Sequence, residues 1–261
     1  MSFKPFRITI RMYGTTPLFQ VANLESVLNA FESITAVTPE FWSLDERVKL
    51  PYDRTGLLQV TRNPDTMHGD LYLRRDSDSK YFAILRMSPR EPGILVDFET
   101  DLEPDKWPLV FEMADAISAA FRPDIGTVFI WPPWKRKPWA SDNDKYLEII
   151  GRCANLSEHY EDGPKGLGMR TYFGPHYIEQ FGKAFLLQTP GVEITELDWQ
   201  GVQMDLSPEP WSLSVQALVT HWQQAMTHLS PAGVFAEMEI TPKEQIIFRK
   251  GVRCTIGGII Q

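Results

Sequence analysis

The first regular alternation of apolar and polar positions runs from Phe6 to Tyr13. Ile8 and Ile10 take one side and Arg7, Thr9 and Arg11 the other, the two-residue period of a half-buried strand. From Asn23 to Ile34 the period lengthens. Leu24, Val27, Leu28, Phe31 and Ile34 recur at helical spacing, and Asn23 stands where a capping residue is expected. Phe41 to Val48 reads as a second, short helix stopped by Pro51. Three strand-like runs follow, Asp70 to Arg75, Tyr81 to Met87 and Gly93 to Phe98. The polar and proline-bearing stretches 76–79 and 88–93 between them predict the turns of an antiparallel meander. Trp107 to Phe121 carries a helical stripe of Val110, Met113, Ala114, Ile117 and Phe121, ends at Arg122-Pro123, and is followed by an apolar strand from Gly126 to Trp131.

The remaining pattern alternates in the same way. A helix is expected from Asp144 to Tyr160, a strand from Gly168 to Phe173 and a short helix from Pro175 to Phe181 with proline at its first position. Val192 to Leu197 and Gly201 to Leu206 are strands joined by a tight turn, and Trp211 to Leu229 is a long helix closed by Pro231. Val234 to Ile240 and Gln245 to Phe248 are the last strand candidates. One order occurs twice: strand, Glu103-Pro104, helix opening at Trp107, Pro123, strand; then strand, Glu209-Pro210, helix opening at Trp211, Pro231, strand. The pattern predicts an α+β fold, antiparallel sheets with helices packed on one face. Residues 1–261 are expected to form a single compact domain, and the echo suggests two similar halves, about 1–140 and 141–261. Coincidence of a common unit explains the echo equally well.

Composition narrows the class. The 261 residues are 43% hydrophobic and 23% charged, which excludes a disordered or collagen-like chain. The two cysteines, Cys153 and Cys254, lie far apart and exclude a disulfide scaffold. No run of about 18 apolar residues predicts a transmembrane helix. Basic residues interrupt the apolar stretches near Met1, so no secretory signal is expected and the expected location is the cytoplasm. A net charge of −8 argues against broad nucleic-acid binding and suits a basic protein partner.

A search for reactive constellations finds little. There is no Gly-x-x-x-x-Gly-Lys-Ser/Thr loop, no His-Glu-x-x-His, no Cys-x-x-Cys and no Gly-x-Ser-x-Gly elbow. His221 and His228 are seven residues apart and make an incomplete metal site; Cys153 falls in an apolar helical stretch that suits an inert buried thiol. The acidic-x-Lys triplet Asp78-Ser79-Lys80, a nuclease-like spacing, lies in a polar turn rather than on a core strand. No cofactor or metal is implied.

Charge is distributed unevenly. Glu91 to Asp115 holds eight acids and one base, Glu193 to Glu209 five acids and no base, and Arg47 to Arg90 nine bases and five acids. Within the first stretch Asp97, Glu99, Asp101, Glu103 and Asp105 fall at every second position, so on a continuing strand they would line one face. Five repelling acids make a solvated surface rather than an acid/base pair, which needs unlike environments. A carboxylate-based hydrolase is the weaker alternative. The proline-rich run from Trp131 to Trp139 adds Lys135, Arg136 and Lys137. Trp131 is expected to pin this loop to the body, with Trp134 and Trp139 as candidate partner anchors.

Several phrases resemble the polymorphic-toxin immunity protein 52 family, proteins associated with type VI secretion. They are the early strand Arg7 to Ile10, the stretch Asp45 to Asp53, the meander leading to Trp131, and Met169 to His176. A second type VI secretion immunity family with a similar Tyr-x-Gly-Pro-like stretch resembles the chain as well and implies the same biology. The resemblance implies a non-enzymatic antitoxin that binds and neutralises a cognate secreted toxin, a restriction-endonuclease-fold nuclease effector, inside the producing cell. It supplies no interface residues. The candidate partner-binding residues Asp97, Glu99, Asp101, Glu103, Asp105, Trp134 and Trp139 therefore rest on charge and exposure. An effector adaptor or chaperone is a further non-catalytic alternative.

Overall fold

β1 (Arg7–Tyr13) is not half-buried: from Ile8 to Tyr13 both of its faces are covered, whereas the strands of the meander keep a one-sided alternation of buried and part-exposed residues. The computed structural model describes residues 4–62, 69–133, 139, 141–154, 163–240 and 246–251. The chain divides into two units, Arg7–Gly126 and Thr127–Gln261 with Met1–Phe6. The fold is α+β, with seven α-helices among the described residues.

The first unit is a sheet and its helices. After β1 come α1 (Val21–Glu32), β2 (Phe41–Ser43), β3 (Leu50–Pro51), α2 (Arg54–Thr61), β4 (Asp70–Arg75), β5 (Tyr81–Arg86), β6 (Gly93–Phe98) and α3 (Trp107–Phe121). The strands lie in the order β3-β2-β4-β5-β6-β1, each pair antiparallel. Arg75 opposes Tyr81 and Tyr81 opposes Phe98, so Leu71, Leu73, Ala83, Leu85, Ile94 and Val96 share the buried face. Helices α1 and α3 pack together on that face, where the Phe31 ring lies 6.1 Å from Tyr81. Leu24, Val27, Leu28 and Phe31 are each at most 1% exposed, and each such side chain contributes about 1.5–3 kcal/mol of transfer free energy.

The second unit takes β7 (Ile125–Trp131) from Thr127 onward, then α4 (Asp142–Ala154), β8 (Arg170–Phe173), α5 (Pro175–Phe181), α6 (Lys183–Leu186), β9 (Glu193–Glu196), β10 (Val202–Asp205), α7 (Val215–Leu229), β11 (Glu237–Ile240) and β12 (Ile246–Arg249). Its strands run β7-β8-β10-β9, with β11 and β12 forming a separate hairpin. Helices α4 and α7 pack against one another. All seven residues of β7 and all four of β8 are buried, which places this unit's core around them.

Three further expectations from the pattern need correction. Phe41 to Val48 is not a helix. Trp42 pairs with Leu73 on β2, and the chain then turns, with the Asp45 amide donating to Ser43 Oγ and the Arg47 amide to Asp45 Oδ1. Serine and aspartate side chains that satisfy nearby amides favour turns over helices. The helix of this region is α2, capped by Asp53, which accepts from the Thr55 amide. Asn23 lies inside α1, which is capped at Gln20, and its side chain donates to the Pro17 carbonyl. Trp211 does not open the long helix. Pro210–Ser212 forms a 3-10 turn, and α7 begins at Val215 where Ser214 Oγ accepts from the Ala217 amide.

Candidate partner-binding surface

The acidic run leaves the sheet at once. β6 ends at Phe98, so only Asp97 of the five alternating acids lies on a strand. Glu99 to Glu103 form a turn, and Pro104–Lys106 a 3-10 turn with Glu103 at its N-cap. The expected single strand face of five carboxylates therefore does not exist. Proline at 104 cannot extend a ladder, and the chain must reverse to start α3.

What replaces it is a pinned loop with its acids outside. Leu102 is 5% exposed, and its carbonyl accepts from Trp107 Nε1 at 3.1 Å in buried surroundings. The Glu99 amide donates to the Lys80 carbonyl at 3.0 Å, and the Leu102 amide to the Glu99 carbonyl at 3.3 Å. Around these anchors Glu99, Asp101, Glu103 and Asp105 are all exposed. The ammonium of Lys80 lies 3.7 Å from Asp101, a pair between two water-exposed side chains and so a weak one.

Asp97 has another occupation. Its carboxylate accepts from Arg7 Nε at 3.0 Å and from Arg11 Nη2 at 2.6 Å. It is a structural counter-ion on the sheet. Tryptophan anchoring divides in the same way. Trp131 is 7% exposed and meets Phe129 edge-on at 5.0 Å, as expected for a pinning residue. Trp139 is half-buried in the second unit, where its Nε1 donates to Glu148 Oε2 at 2.7 Å and Lys145 sits 5.7 Å from its ring centroid. Trp134 lies outside the described residues. The structure thus gathers Glu99, Asp101, Glu103 and Asp105 into one loop and assigns Asp97 and Trp139 to local contacts.

The other candidates fall into structural roles. His221 meets the Leu206 carbonyl, while His228 donates to the Phe185 carbonyl at 3.0 Å and stacks on the Phe185 ring at 4.3 Å. Asp78, at φ 47°, and Lys80 belong to the β4–β5 hairpin turn. Among the described residues no three His, Cys, Asp or Glu side chains gather to hold a metal. No helix among them is long and apolar enough to cross a membrane.

Two features escape the one-dimensional pattern. One is the ion pair in the second unit, where Arg170 donates from Nε to Asp205 Oδ1 at 2.6 Å and from Nη2 to Oδ2 at 2.9 Å, both side chains buried. The Arg170↔Asp205 register creates it, and register is not written in either strand alone. The other is a cleft of about 780 Å³ lined by Trp222, Met226, Phe235 and Met238, with Cys153 and Lys165 in its wall. Burial pushes the Cys153 thiol up to about 12, opposed by the Lys165 charge. A thiol so protonated is no nucleophile at neutral pH.

No family model matches the sequence, and no curated protein matches it. Among solved structures, the Pseudomonas aeruginosa T6SS protein PA0821 aligns over 87% of this chain and 83% of its own, at 13% identity and a TM-score of 0.49. No residue role passes between two chains at that distance.

Proposed function

We propose that this protein is a non-catalytic immunity protein of the cytoplasm. It binds a cognate secreted toxin, a nuclease effector of a type VI secretion system, and keeps it from its DNA. The observation that carries the reading is the loop after β6, which presents Glu99, Asp101, Glu103 and Asp105 to solvent while Leu102 and Trp107 hold it to the body. A DNA-cutting domain must offer positive charge to phosphates. A held row of carboxylates competes for that charge and speeds encounter with it.

The resemblance noted above supports the same reading. Arg7 to Ile10 lies on β1, Asp45 to Asp53 covers the turn and β3 up to the cap of α2, and Met169 to His176 spans β8 and the start of α5. The test is co-expression of the protein with the product of its neighbouring gene, scored for survival and co-purification. Rescue from a lethal product with a stable complex is expected. A lethal neighbour that is neither bound nor neutralised removes the reading.

A further inference from the structure

The acidic loop leaves unexplained the other face of the first unit's sheet. Helices α1 and α3 occupy one side, and the opposite side is built of part-exposed aromatic, aliphatic and arginine side chains. The register sets them in rows. Phe41, Arg74, Phe82 and Asp97 oppose one another across β2, β4, β5 and β6, and the next row is Ser43, Tyr72, Ile84 and Leu95. In the third row Asp70 opposes Arg86.

The contacts within the face are stacked. The Tyr72 and Phe82 rings are parallel at 5.6 Å. The Arg74 guanidinium lies 4.5 Å from the Phe82 centroid, and that of Arg86 lies 5.7 Å from the Tyr13 centroid. A guanidinium stacked on a ring keeps its N–H edge for a planar acceptor and is weakly hydrated, so it suits a carboxylate at an interface. Arg74 Nη2 donates to the Glu46 carbonyl, which helps hold the guanidinium in place on the face. Arg7 adds a part-exposed cation on this side, and Arg11, only 4% exposed, shares the Asp97 carboxylate with it. In a chain of net charge −8, the part-exposed charges of this face are the guanidiniums of Arg7, Arg74 and Arg86 and the carboxylates of Asp70 and Asp97.

We propose that this face, through Tyr72, Arg74, Phe82, Ile84 and Arg86, is a docking surface for an extended protein segment carrying carboxylates among apolar side chains. Charge complementarity selects the partner. Arg74 and Arg86 are two rows apart, which along a strand is roughly 13 Å, the span of residues i and i+4 in an extended chain. Tyr72 and Ile84 fill the row between and meet an apolar side chain at i+2. A single-stranded nucleic acid is disfavoured. Its backbone needs a continuous basic track, and the exposed Glu99, Asp101, Glu103 and Asp105 follow directly on β6. The inference does not depend on the partner being a toxin, and a failed rescue would leave it standing.

Fluorescence anisotropy on the full chain tests it with a labelled peptide, GSETLTETLTEG, whose Glu residues recur every fourth position with Leu between. Saturable binding is expected, weakening with added NaCl and falling at least tenfold in the double variant Arg74→Glu, Arg86→Glu. The Arg74→Gln, Arg86→Gln pair removes the charge while keeping a side chain of similar reach, and it should weaken binding too; it carries the test if the reversal impairs folding. Lys183→Glu, in the second unit, should leave binding unchanged. Equal binding of the peptide with Lys in place of Glu, affinity indifferent to both double variants, tighter binding of a twelve-residue oligothymidylate, or no binding of the Glu peptide would each overturn the proposal.

Discussion

Arg11 donates from Nη2 to Asp97 Oδ1 across 2.6 Å, and this contact detaches Asp97 from the acidic run that it heads in sequence. Arg11 is 4% exposed, and its Nη1 is committed to the Ile10 and Val96 carbonyls. Burial pulls the Arg11 guanidinium below its ordinary value and the Asp97 charge opposes this. Asp97→Ala leaves a covered cation without its counter-ion. With the Asp97 carboxylate itself part-exposed, the expected loss is about 1–3 kcal/mol of folding stability. Urea denaturation read by tryptophan fluorescence checks it, and an unchanged midpoint would show that Asp97 is a free surface acid after all.

The loop acids behave differently. Glu99, Asp101, Glu103 and Asp105 are exposed, and surface substitutions of this kind move stability by no more than about 0.5 kcal/mol each. Their joint replacement by Ala should keep the fold and weaken binding to the cognate toxin, with a shallower dependence of affinity on salt. Titration calorimetry at two NaCl concentrations separates the outcomes. An identical affinity and salt slope would take the loop out of the interface. Asp97 is left unchanged in this variant, because its loss would be read as unfolding.

The legible part of the fold is the part set by local period. Leu24, Val27, Leu28, Phe31 and the Val110 to Phe121 stripe sit where their spacing predicts, because one face of each helix meets a core; Ile8 and Ile10 are buried as their alternation predicts, but Thr9 and Arg11 on the other face of β1 are buried too. Phe41 to Val48 misleads because its apolar residues suit a helix or a strand, and side-chain hydrogen bonds at Ser43 and Asp45 decide for a strand and turn. Of the candidate site, exposure was legible at Glu99, Asp101, Glu103 and Asp105. The role of Asp97 was not, since it depends on the register that sets Thr9 opposite Asp97 and brings Arg7 and Arg11 to either side. The row of Phe41, Arg74 and Phe82 is likewise a product of pairing three strands.

In the second unit, the Arg170–Asp205 pair also receives a hydrogen bond from Gln203 Nε2 to Asp205 Oδ2 at 2.8 Å. Asp205→Ala removes the carboxylate that faces this buried arginine and should cost about 3–5 kcal/mol. Asp205→Asn keeps one acceptor and should cost less. Thermal unfolding followed by circular dichroism ranks the two, and equal midpoints for wild type and Asp205→Ala would contradict the role given to the pair.

Gly151 stands inside α4, where Ala is ordinarily better by about 1 kcal/mol. Here a Cβ would come within 2.5 Å of the buried Trp131 ring. Trp131 is held by Phe129 and cannot retreat without opening the core, so overpacking of about 1–3 kcal/mol outweighs the helical gain. Gly151→Ala should therefore lower the melting temperature. A rise would mean that the ring moves freely.

Cys153 supplies a pH test. Burial raises its thiol to about 12 in the folded protein, while an unfolded thiol titrates near 8.5. Its folded form holds the proton more tightly, so its contribution to stability is complete below the unfolded value and is lost as pH rises from there through the folded value. The slope it adds is at most about 1.4 kcal/mol per pH unit in that window. Other groups titrate there too, so the measurement is a difference: unfolding free energy between pH 8 and 10 in a Cys254→Ser background, with and without Cys153→Ala. The chain retaining Cys153 should lose stability more steeply as pH rises. In the same background the native thiol should resist a disulfide reagent at pH 8 and react at once in guanidinium. Parallel slopes, or rapid reaction in the native state, would show that the thiol is accessible and ionises as an ordinary cysteine does.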